Sequence, residues 1–365
     1  MSGNNITPFK ATHPGILLQD ELKARNIKQR EMAYELGVLP TFLNEIIKGK
    51  RSITADFAIL LEKVLEIPAD YWLRFQTQHD IDKARIKEKN IRKIELIEIW
   101  NIIKKYVPVK FFKKLGYLHS ASEIELNIKT VMKIYNVSNI ENLVTVFANH
   151  KNLSFYRKSK KLNLDHVNML GWSKLAEYEA KQISISGFKK ENLSNLKNEL
   201  QIIILKNQNV KIHTKKKLAE YGIKLIYLQK FDKTPIDGYS FWSDKNPAIA
   251  LTLRHKRIDN FAFTIFHEIG HIELHIESQK EKKFIDLYES KVENELENQA
   301  DKYARESLIS KEQWNELADN YFLLDDNKIR DFGEKYNINP AIILGRICWE
   351  KNNYAIKSNI NKTIN

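Results

Sequence analysis

The chain has 365 residues, a formal net charge of +13 at pH 7 and a single cysteine, Cys348. This length suffices for two or three domains that each bury a core, and one cysteine excludes both an internal disulfide and a cysteine-rich zinc cluster. No apolar run approaches the ~18 residues of a membrane span, and the first residues lack the pattern of a signal peptide. We therefore expect a cytoplasmic protein without membrane contacts, in which Cys348 is a buried apolar side chain.

The positive charge is concentrated in the middle of the chain. Residues 81–234 contain 31 lysines and arginines but only 14 aspartates and glutamates. Such an excess can face nucleic acid or an acidic partner. Solvated lysine-rich helix faces explain it equally well, so the charge alone assigns no function.

Residues 13–76 show the pattern of five short helices separated by turn residues. Gly37 lies between a helix predicted for residues 29–36 and another for residues 40–48, which begins with a proline. A helix, a tight glycine turn and a second helix form the DNA-binding helix-turn-helix, whose second helix enters the major groove. A plain helical bundle has the same pattern, and the spacing alone leaves the two interpretations evenly balanced.

Within a helix-turn-helix, two groups of side chains are predicted to contact DNA. Thr41 and Asn44 lie near the start of the second helix, away from its apolar residues, and asparagine can bond adenine through both of its polar atoms. Gln29, Lys50 and Arg51 are candidates for phosphate contacts, which position a protein on DNA without specifying a sequence.

Residues 8–85 resemble the HigA-type antitoxins of the Xre helix-turn-helix superfamily. The resemblance is carried by residues 13–15, 44–51, 58–65 and 71–73. The chain departs from the family at residues 39–41, Leu-Pro-Thr, where members usually open the recognition helix with polar residues. The resemblance implies that the protein binds operator DNA as a homodimer, represses its own operon and neutralises a cognate toxin.

Three short apolar segments beyond residue 187 are predicted to form the strands of a small sheet. They are residues 222–228, 238–242 and 248–253. An exposed edge strand can pair with an extended peptide by strand addition. We therefore expect residues 248–253 to be such an edge strand.

Residues 267–271 form an HExxH motif within an apolar helix. His267 and His271 share a helix face, so both imidazoles can reach one Zn²⁺, and Glu268 can activate a water molecule on that ion. Two surface histidines give the same pattern by chance. The apolar flanks argue against chance, because buried histidines beside a glutamate are costly unless something neutralises them. Arg254 and His255, just before this helix, are weaker candidates for steadying an oxyanion, since ordinary surface groups explain them more simply.

A downstream helix predicted for residues 293–304 offers the third ligand. Glu297 and Asp301 share one face of it, which suggests Glu297 as the ligand and Asp301 as the acceptor for the N–H of a ligand histidine. Taken alone, the segment can also be a solvated acidic helix, and Glu295 stays open as an alternative ligand. We interpret His275 as a neighbour of the site, because the spacing of the three-histidine motif is absent.

Residues 190–310 resemble the ImmA/IrrE family of metallopeptidases. The resemblance is carried by residues 238–242, 247–252, 261–275 and 297–304. It implies that His267, His271 and Glu297 bind Zn²⁺ and that Glu268 is the general base. The chain departs from the family at Gln299 and Ser310, where members often have glutamate and proline.

The predicted fold class is mainly α with an α+β part. Its regions are a five-helix helix-turn-helix domain (8–80), a basic helical linker (81–186), a small-sheet zincin-like metallopeptidase domain (187–312) and C-terminal helices with a frayed tail (313–365). The preferred hypothesis is a DNA-binding regulator whose zinc endopeptidase cleaves a regulator, a toxin or the chain itself. The alternative is a non-catalytic antitoxin whose peptidase-like domain is a sensor or partner-binding module.

Overall fold

The computed structural model describes residues 8–152, 165–281, 283–287, 295–318 and 325–365. The chain divides into two compact units, Met1–Ile99 and Trp100–Asn365. This division falls inside a long helix, and the four regions proposed from the sequence stay a prediction.

The first unit contains four of the five helices that the sequence pattern predicts and most of the fifth. They are α1 Pro14–Ala24, α2 Gln29–Glu35, α3 Pro40–Ile47, α4 Ala55–Leu65 and α5 Ala69–Tyr106. The fifth is not short, because it continues into the region that was predicted as a separate helical linker. Neither proline nor glycine occurs between residues 69 and 106, so nothing in the backbone ends the helix.

Helices α1 and α3 approach each other closely at Gly15. A Cβ atom at this position would lie 1.9 Å from the backbone oxygen of Ile46, so a larger residue does not fit. The ring of His13 caps α1, where its Nδ1 atom accepts a hydrogen bond from the Gly15 N–H (3.0 Å). Ala33 on α2 and Leu43 on α3 are fully buried in the core of this unit. A helix-turn-helix requires such small and apolar side chains where its two helices pack.

The second unit is mainly helical. Its helices are α6 Val109–Lys114, α7 Ile124–Tyr135, α8 Ile140–Asn152, α9 His166–Lys181, α10 Leu193–Lys206, α11 Val210–Glu220, α12 Ile258–His271, α13 Glu295–Leu308, α14 Lys311–Ala318, α15 Asp326–Tyr336 and α16 Pro340–Glu350. Helix α12 continues directly into a π-helical turn, Ile272–Ile276.

A four-stranded mixed sheet accompanies these helices, which confirms the predicted fold class. Its strands are β1 Lys224–Tyr227, β2 Ile236–Ser243, β3 Asn246–Leu251 and β4 Phe284–Leu287. The order is β1-β3-β2-β4, with β1 parallel to β3 and β2 antiparallel to both neighbours. The prediction that residues 248–253 form an edge strand is therefore wrong, because β1 occupies the side of β3 that the β2–β3 hairpin leaves open.

The zinc-motif helix α12 lies in the core of the second unit. Phe261, Ile265, Phe266 and Ile269 are all buried there. Helix α13 packs on α12 through small residues, and a Cβ atom added at Gly270 would lie 3.0 Å from the Tyr303 ring. This close approach brings the polar face of α13 to the histidines of α12.

The C-terminal tail is docked on the second unit, so the prediction that it frays is wrong. The Val210 N–H donates to the Asn365 carbonyl (2.8 Å), and the Ile258 N–H donates to the Lys362 carbonyl (2.8 Å). Ile360 is buried in the same core as α12. The tail thus satisfies a backbone donor in the first turn of α12 that has no partner within the helix.

Within the described residues, no helix has both the length and the apolar character needed to cross a membrane.

Candidate metal centre and nucleic-acid interface

Three side chains from two helices converge in the second unit. His267 and His271 lie one turn apart on α12, and their Nε2 atoms are 3.0 Å from each other. The Oε2 atom of Glu297, on α13, lies 3.2 Å from each of these nitrogens. The structure therefore brings together the three residues that the sequence suggests as ligands, whereas Glu295 is exposed and hydrogen-bonds to Gln299 instead.

Asp301 lies behind His267. Its Oδ1 atom is 2.9 Å from the Nδ1 atom of His267, and the carboxylate also lies 3.9 Å from Arg305. When the Nδ1–H donates to this carboxylate, the lone pair of His267 is on Nε2 and faces Glu297. This is the geometry expected of a carboxylate that orients a ligand histidine.

His275 lies behind His271 in a comparable position. The two Nδ1 atoms are 3.1 Å apart, and the Nε2 atom of His275 is 3.0 Å from Oε1 of Gln299. The Phe284 ring, on β4, stacks on His271 with 4.3 Å between ring centroids. His275 therefore lies next to the cluster and contacts it through His271.

Glu268 points toward β2, where it is completely buried. The hydroxyl of Ser240 donates a hydrogen bond to its Oε2 atom. Gly238 lies two residues earlier on the same strand, and a Cβ atom there would come within 2.0 Å of Oε1 of Glu268. The space for the carboxylate therefore exists because residue 238 is a glycine.

The surroundings set the charges of the cluster. Burial alone would raise the pKa of Glu297, but the hydrogen bonds and charges of His267 and His271 outweigh it and lower this pKa to about 2. Burial lowers the pKa of His271 to about 4, although Glu297 opposes the shift. Near neutral pH the carboxylate is ionised and the imidazole neutral, which are the protonation states that bind a metal ion.

A divalent cation fits this set of donors. The ligand atoms of His267, His271 and Glu297 all lie within 4.8 Å of one another, and among the described residues they form the single cluster of this kind. Two histidines and one glutamate are a known ligand set of catalytic zinc. The chemistry of the donors therefore matches Zn²⁺.

Arg254 forms an ion pair with Asp237 and does not belong to the cluster of His267, His271 and Glu297. Its Nε atom lies 2.9 Å from Oδ1 of Asp237, and its Nη2 atom donates to Oδ2 of the same carboxylate (3.0 Å). Both side chains are largely buried, so the pair links the loop before α12 to β2. Arg254 is thus a buried ion-pair partner, which neither the oxyanion interpretation nor the surface interpretation predicts.

The residues predicted to contact DNA are all at least partly accessible. Thr41, Lys50 and Arg51 are exposed, and Gln29 and Asn44 are half-buried. The guanidinium of Arg51 pairs with Glu45 (3.0 Å) and lies 4.8 Å from the centroid of the Phe42 ring. Arg51 is therefore held at the C-terminal end of α3, and the DNA contacts of all five residues stay predictions.

Two residues of the site, Ser240 and Gln299, were not given a role by sequence reasoning. A signal for the first was present, because Gly238 and Ser240 are small residues with a spacing of two in a strand that otherwise carries Tyr239 and Phe241. For Gln299 the signal was its position two residues after Glu297, at the point where the chain departs from the metallopeptidase pattern.

Two family models match the chain. A helix-turn-helix model matches residues 18–72, and a model of the IrrE N-terminal-like domain matches residues 218–344. The second range contains His267, His271 and Glu297 together with Ser240 and Gln299. Both resemblances found in the sequence are confirmed by these matches.

Each of the following relatives is similar to about a quarter of this chain. Virulence-associated protein I of Dichelobacter nodosus is 36% identical over 91 residues, which are 25% of this chain and 82% of that protein. The uncharacterized HTH-type transcriptional regulator YbaQ of Escherichia coli is 33% identical over 84 residues, 23% of this chain and 72% of that protein. A solved HigA-family antidote protein from Coxiella burnetii is 32% identical, covering 23% of this chain and 95% of its own, with a TM-score of 0.22.

Proposed function

Because the chain belongs to the helix-turn-helix regulators and also carries an IrrE N-terminal-like domain, we propose that it is a DNA-binding repressor with a zinc-dependent endopeptidase. The observation that carries the proposal is the convergence of His267 and His271 from α12 with Glu297 from α13. Glu268, which follows His267 in the chain, is completely buried. Three ligands and a carboxylate base are the protein groups that zinc-assisted hydrolysis of a peptide requires.

Each residue of the proposed active site has a separate task. Zn²⁺, when bound by the three ligands, supplies Lewis acidity that polarises a carbonyl and lowers the pKa of water. Glu268 takes the proton of the attacking water and delivers it to the departing amine. Ser240 holds this carboxylate in one orientation, and Asp301 holds His267 with its Nε2 lone pair toward the ligand cluster.

In the first unit, α3 is the proposed recognition helix. Thr41 and Asn44 face the base edges, while Gln29 and Lys50 contact phosphates. Arg51 also contacts phosphate, from the position that Glu45 and Phe42 give it. The proposed ligand is operator DNA, bound by a homodimer on a palindromic site.

The proposed substrate is a protein of the same regulatory circuit. It is a regulator, a toxin encoded with the chain, or the chain itself, and its cleavage relieves repression. The alternative, a sensor or partner-binding module without turnover, predicts the same DNA binding but no cleavage.

The zinc content of the purified full chain tests the metal site. We expect about one zinc per wild-type chain, as for a three-ligand catalytic site, and a sharply lower content in Glu297→Ala. Glu306→Ala, at an exposed glutamate of the same helix, is the matched control and should keep its zinc. A wild type that stays metal-free after zinc is supplied contradicts the peptidase proposal.

A second variant, Glu268→Gln, separates catalysis from binding. It should retain zinc and operator binding while cleavage falls by roughly 10²–10⁴-fold, the usual contribution of a general base. Cleavage is followed in cells by blotting for the chain and for the proteins encoded with it. Regulation that is unchanged in Glu268→Gln rules out proteolysis as the function and favours the sensor.

A further inference from the structure

The two ligand histidines are supported in different ways on the side away from the cluster. His267 meets a carboxylate directly, at Asp301, whereas His271 meets a second imidazole, at His275. A carboxylate can only accept a hydrogen bond, so it fixes the tautomer of its partner without help. An imidazole can accept or donate through the same nitrogen, so it fixes nothing until its own tautomer is set.

We propose that His275, oriented by Gln299, is a positioning residue that sets the tautomer of His271 and thereby its affinity for zinc. The inference rests on the proposed zinc site. It gives a role to a histidine that does not bind the metal and to a glutamine at a position where related metallopeptidases often have glutamate.

The relay begins at Glu295, in the first turn of α13. Its Oε1 atom accepts a hydrogen bond from the amide nitrogen of Gln299 (3.3 Å). If the amide were turned over, its oxygen would face the carboxylate oxygen, and two acceptors would oppose each other. Glu295 therefore keeps the amide oxygen of Gln299 directed at His275.

The next two steps follow from the number of protons on a neutral imidazole. Oε1 of Gln299 is 3.0 Å from Nε2 of His275, so this nitrogen carries the proton and donates it. The lone pair of His275 is then on Nδ1, 3.1 Å from Nδ1 of His271. His271 must donate there, which leaves its own lone pair on Nε2, facing His267 and Glu297.

Burial makes the relay effective. His271 is fully buried and His275 is 7% exposed. The Phe284 ring covers both, stacking on His271 and lying 5.3 Å from the His275 ring centroid. His275 is also carried by the π-helical turn Ile272–Ile276, which changes the direction of its side chain relative to a continuing α-helix.

Nitrogen NMR of the full chain, labelled with ¹⁵N-histidine and kept metal-free, tests the relay itself. In the wild type we expect the Nε2–H tautomer at His275 and the Nδ1–H tautomer at His271. Gln299→Met removes the amide oxygen, and the exposed position of residue 299 accommodates the methionine. In this variant His275 should become a mixture of tautomers. A wild-type His275 in the Nδ1–H tautomer overturns the proposal.

Zinc affinity, measured in competition with a chromophoric chelator, tests the consequence. Gln299→Met should weaken zinc binding about tenfold, the lower end of the range for residues that orient ligands. The exchange Glu295→Gln with Gln299→Glu should bind as the wild type does, because a carboxylate at residue 299 still accepts from His275 and an amide at residue 295 donates to it. Asn298→Met, on the neighbouring exposed position, is the control and should also bind normally.

The two experiments separate this proposal from the proposed function. Equal zinc affinity in the wild type and in Gln299→Met overturns the positioning role while leaving the zinc site intact. An equal loss in Asn298→Met also overturns it, because the effect would then belong to the surface of α13. A wild type that binds no zinc removes the peptidase proposal, whereas the tautomers of the metal-free protein still report on the relay.

Discussion

Helices α3 and α12 carry the two proposed functions, and they differ in how deeply the functional side chains are buried. On α3, Thr41 is exposed and Asn44 half-buried, while the buried residues of the helix only pack. On α12, Glu268 and His271 are completely buried. A protein that reads a duplex must present its side chains at the surface, whereas a metal ligand is oriented by the buried neighbours that surround it.

This difference has an energetic consequence. An exposed recognition residue contributes little to folding, so its substitution should change DNA binding alone. Buried ionisable residues must be compensated by neighbours, so changes around α12 should affect stability, metal binding and catalysis together. Substitutions and pH changes around the two helices test that contrast.

Gly238→Ala should damage the proposed active site without touching a catalytic residue. The added methyl group would lie within 2.0 Å of Oε1 of Glu268 and must displace the carboxylate. A displacement of about 1 Å can cost on the order of hundredfold in rate, so we expect this loss in cleavage, with zinc retained. Gly187→Ala is the matched control, because its Cβ would meet nothing within 4 Å. Full activity in Gly238→Ala would show that the site is looser than its burial indicates.

Acidification should destabilise α12 in the metal-free protein. The pKa of His271 falls from 6.5 to about 4 on folding, mainly through burial. The unfolded chain then binds the proton more readily, so stability is complete above pH 6.5 and is lost as the pH falls toward 4. Between pH 7 and 5 we expect a loss of about 2 kcal/mol.

Hydrogen exchange of the α12 amides, corrected for the intrinsic exchange rate, measures this local stability. His271→Phe removes the titrating group and keeps a ring beside Phe284, so its α12 should be less sensitive to pH. An identical pH dependence in both proteins would assign the effect to another group.

Asn44→Ala should weaken specific DNA binding by about 1–3 kcal/mol and relax the sequence preference at one base pair. Lys50→Ala should weaken binding to all sequences alike and reduce the dependence on salt by about one counterion. Binding to operator and to unrelated DNA at several salt concentrations distinguishes the two. Uniform weakening in both variants would mean that Asn44 contacts the backbone.

Sequence patterns captured the parts of the site that depend on local spacing. His267 and His271 are one helical turn apart, and this spacing alone predicts that both reach one ion. The contact of Ser240 with Glu268 was missed, because it joins segments 28 residues apart whose approach depends on how the sheet packs on α12. Gln299 was missed for a related reason, since its partner His275 is 24 residues away and is turned by a π-helical segment.

The fold shows the same limit. Alternating and continuous apolar runs locate β1, β2 and β3, but the order of strands depends on a parallel crossover that no local pattern encodes. The C-terminal tail was misjudged because asparagine and lysine dominate its composition. Ile356, Ile360 and Ile364 recur there with a spacing of four, and they pack against the core of the second unit.

The smallest expected effect comes from comparing two threonines of the first unit. The side chain of Thr54 caps α4 by accepting a hydrogen bond from the Phe57 N–H (3.3 Å), whereas Thr41 is exposed in the first turn of α3. Thr54→Ala should lower the free energy of unfolding of this unit by about 1 kcal/mol, the usual cost of losing such a cap. Thr41→Ala should leave that free energy within about 0.5 kcal/mol of wild type and change only DNA binding.

Hydrogen exchange of the buried amides of α4 in each variant, set beside operator affinity, separates the two effects. A stability loss in Thr41→Ala as large as in Thr54→Ala would break the comparison between the helices. The exposed face of α3 would then be part of the folding core, and its side chains would not be free to read DNA independently of stability.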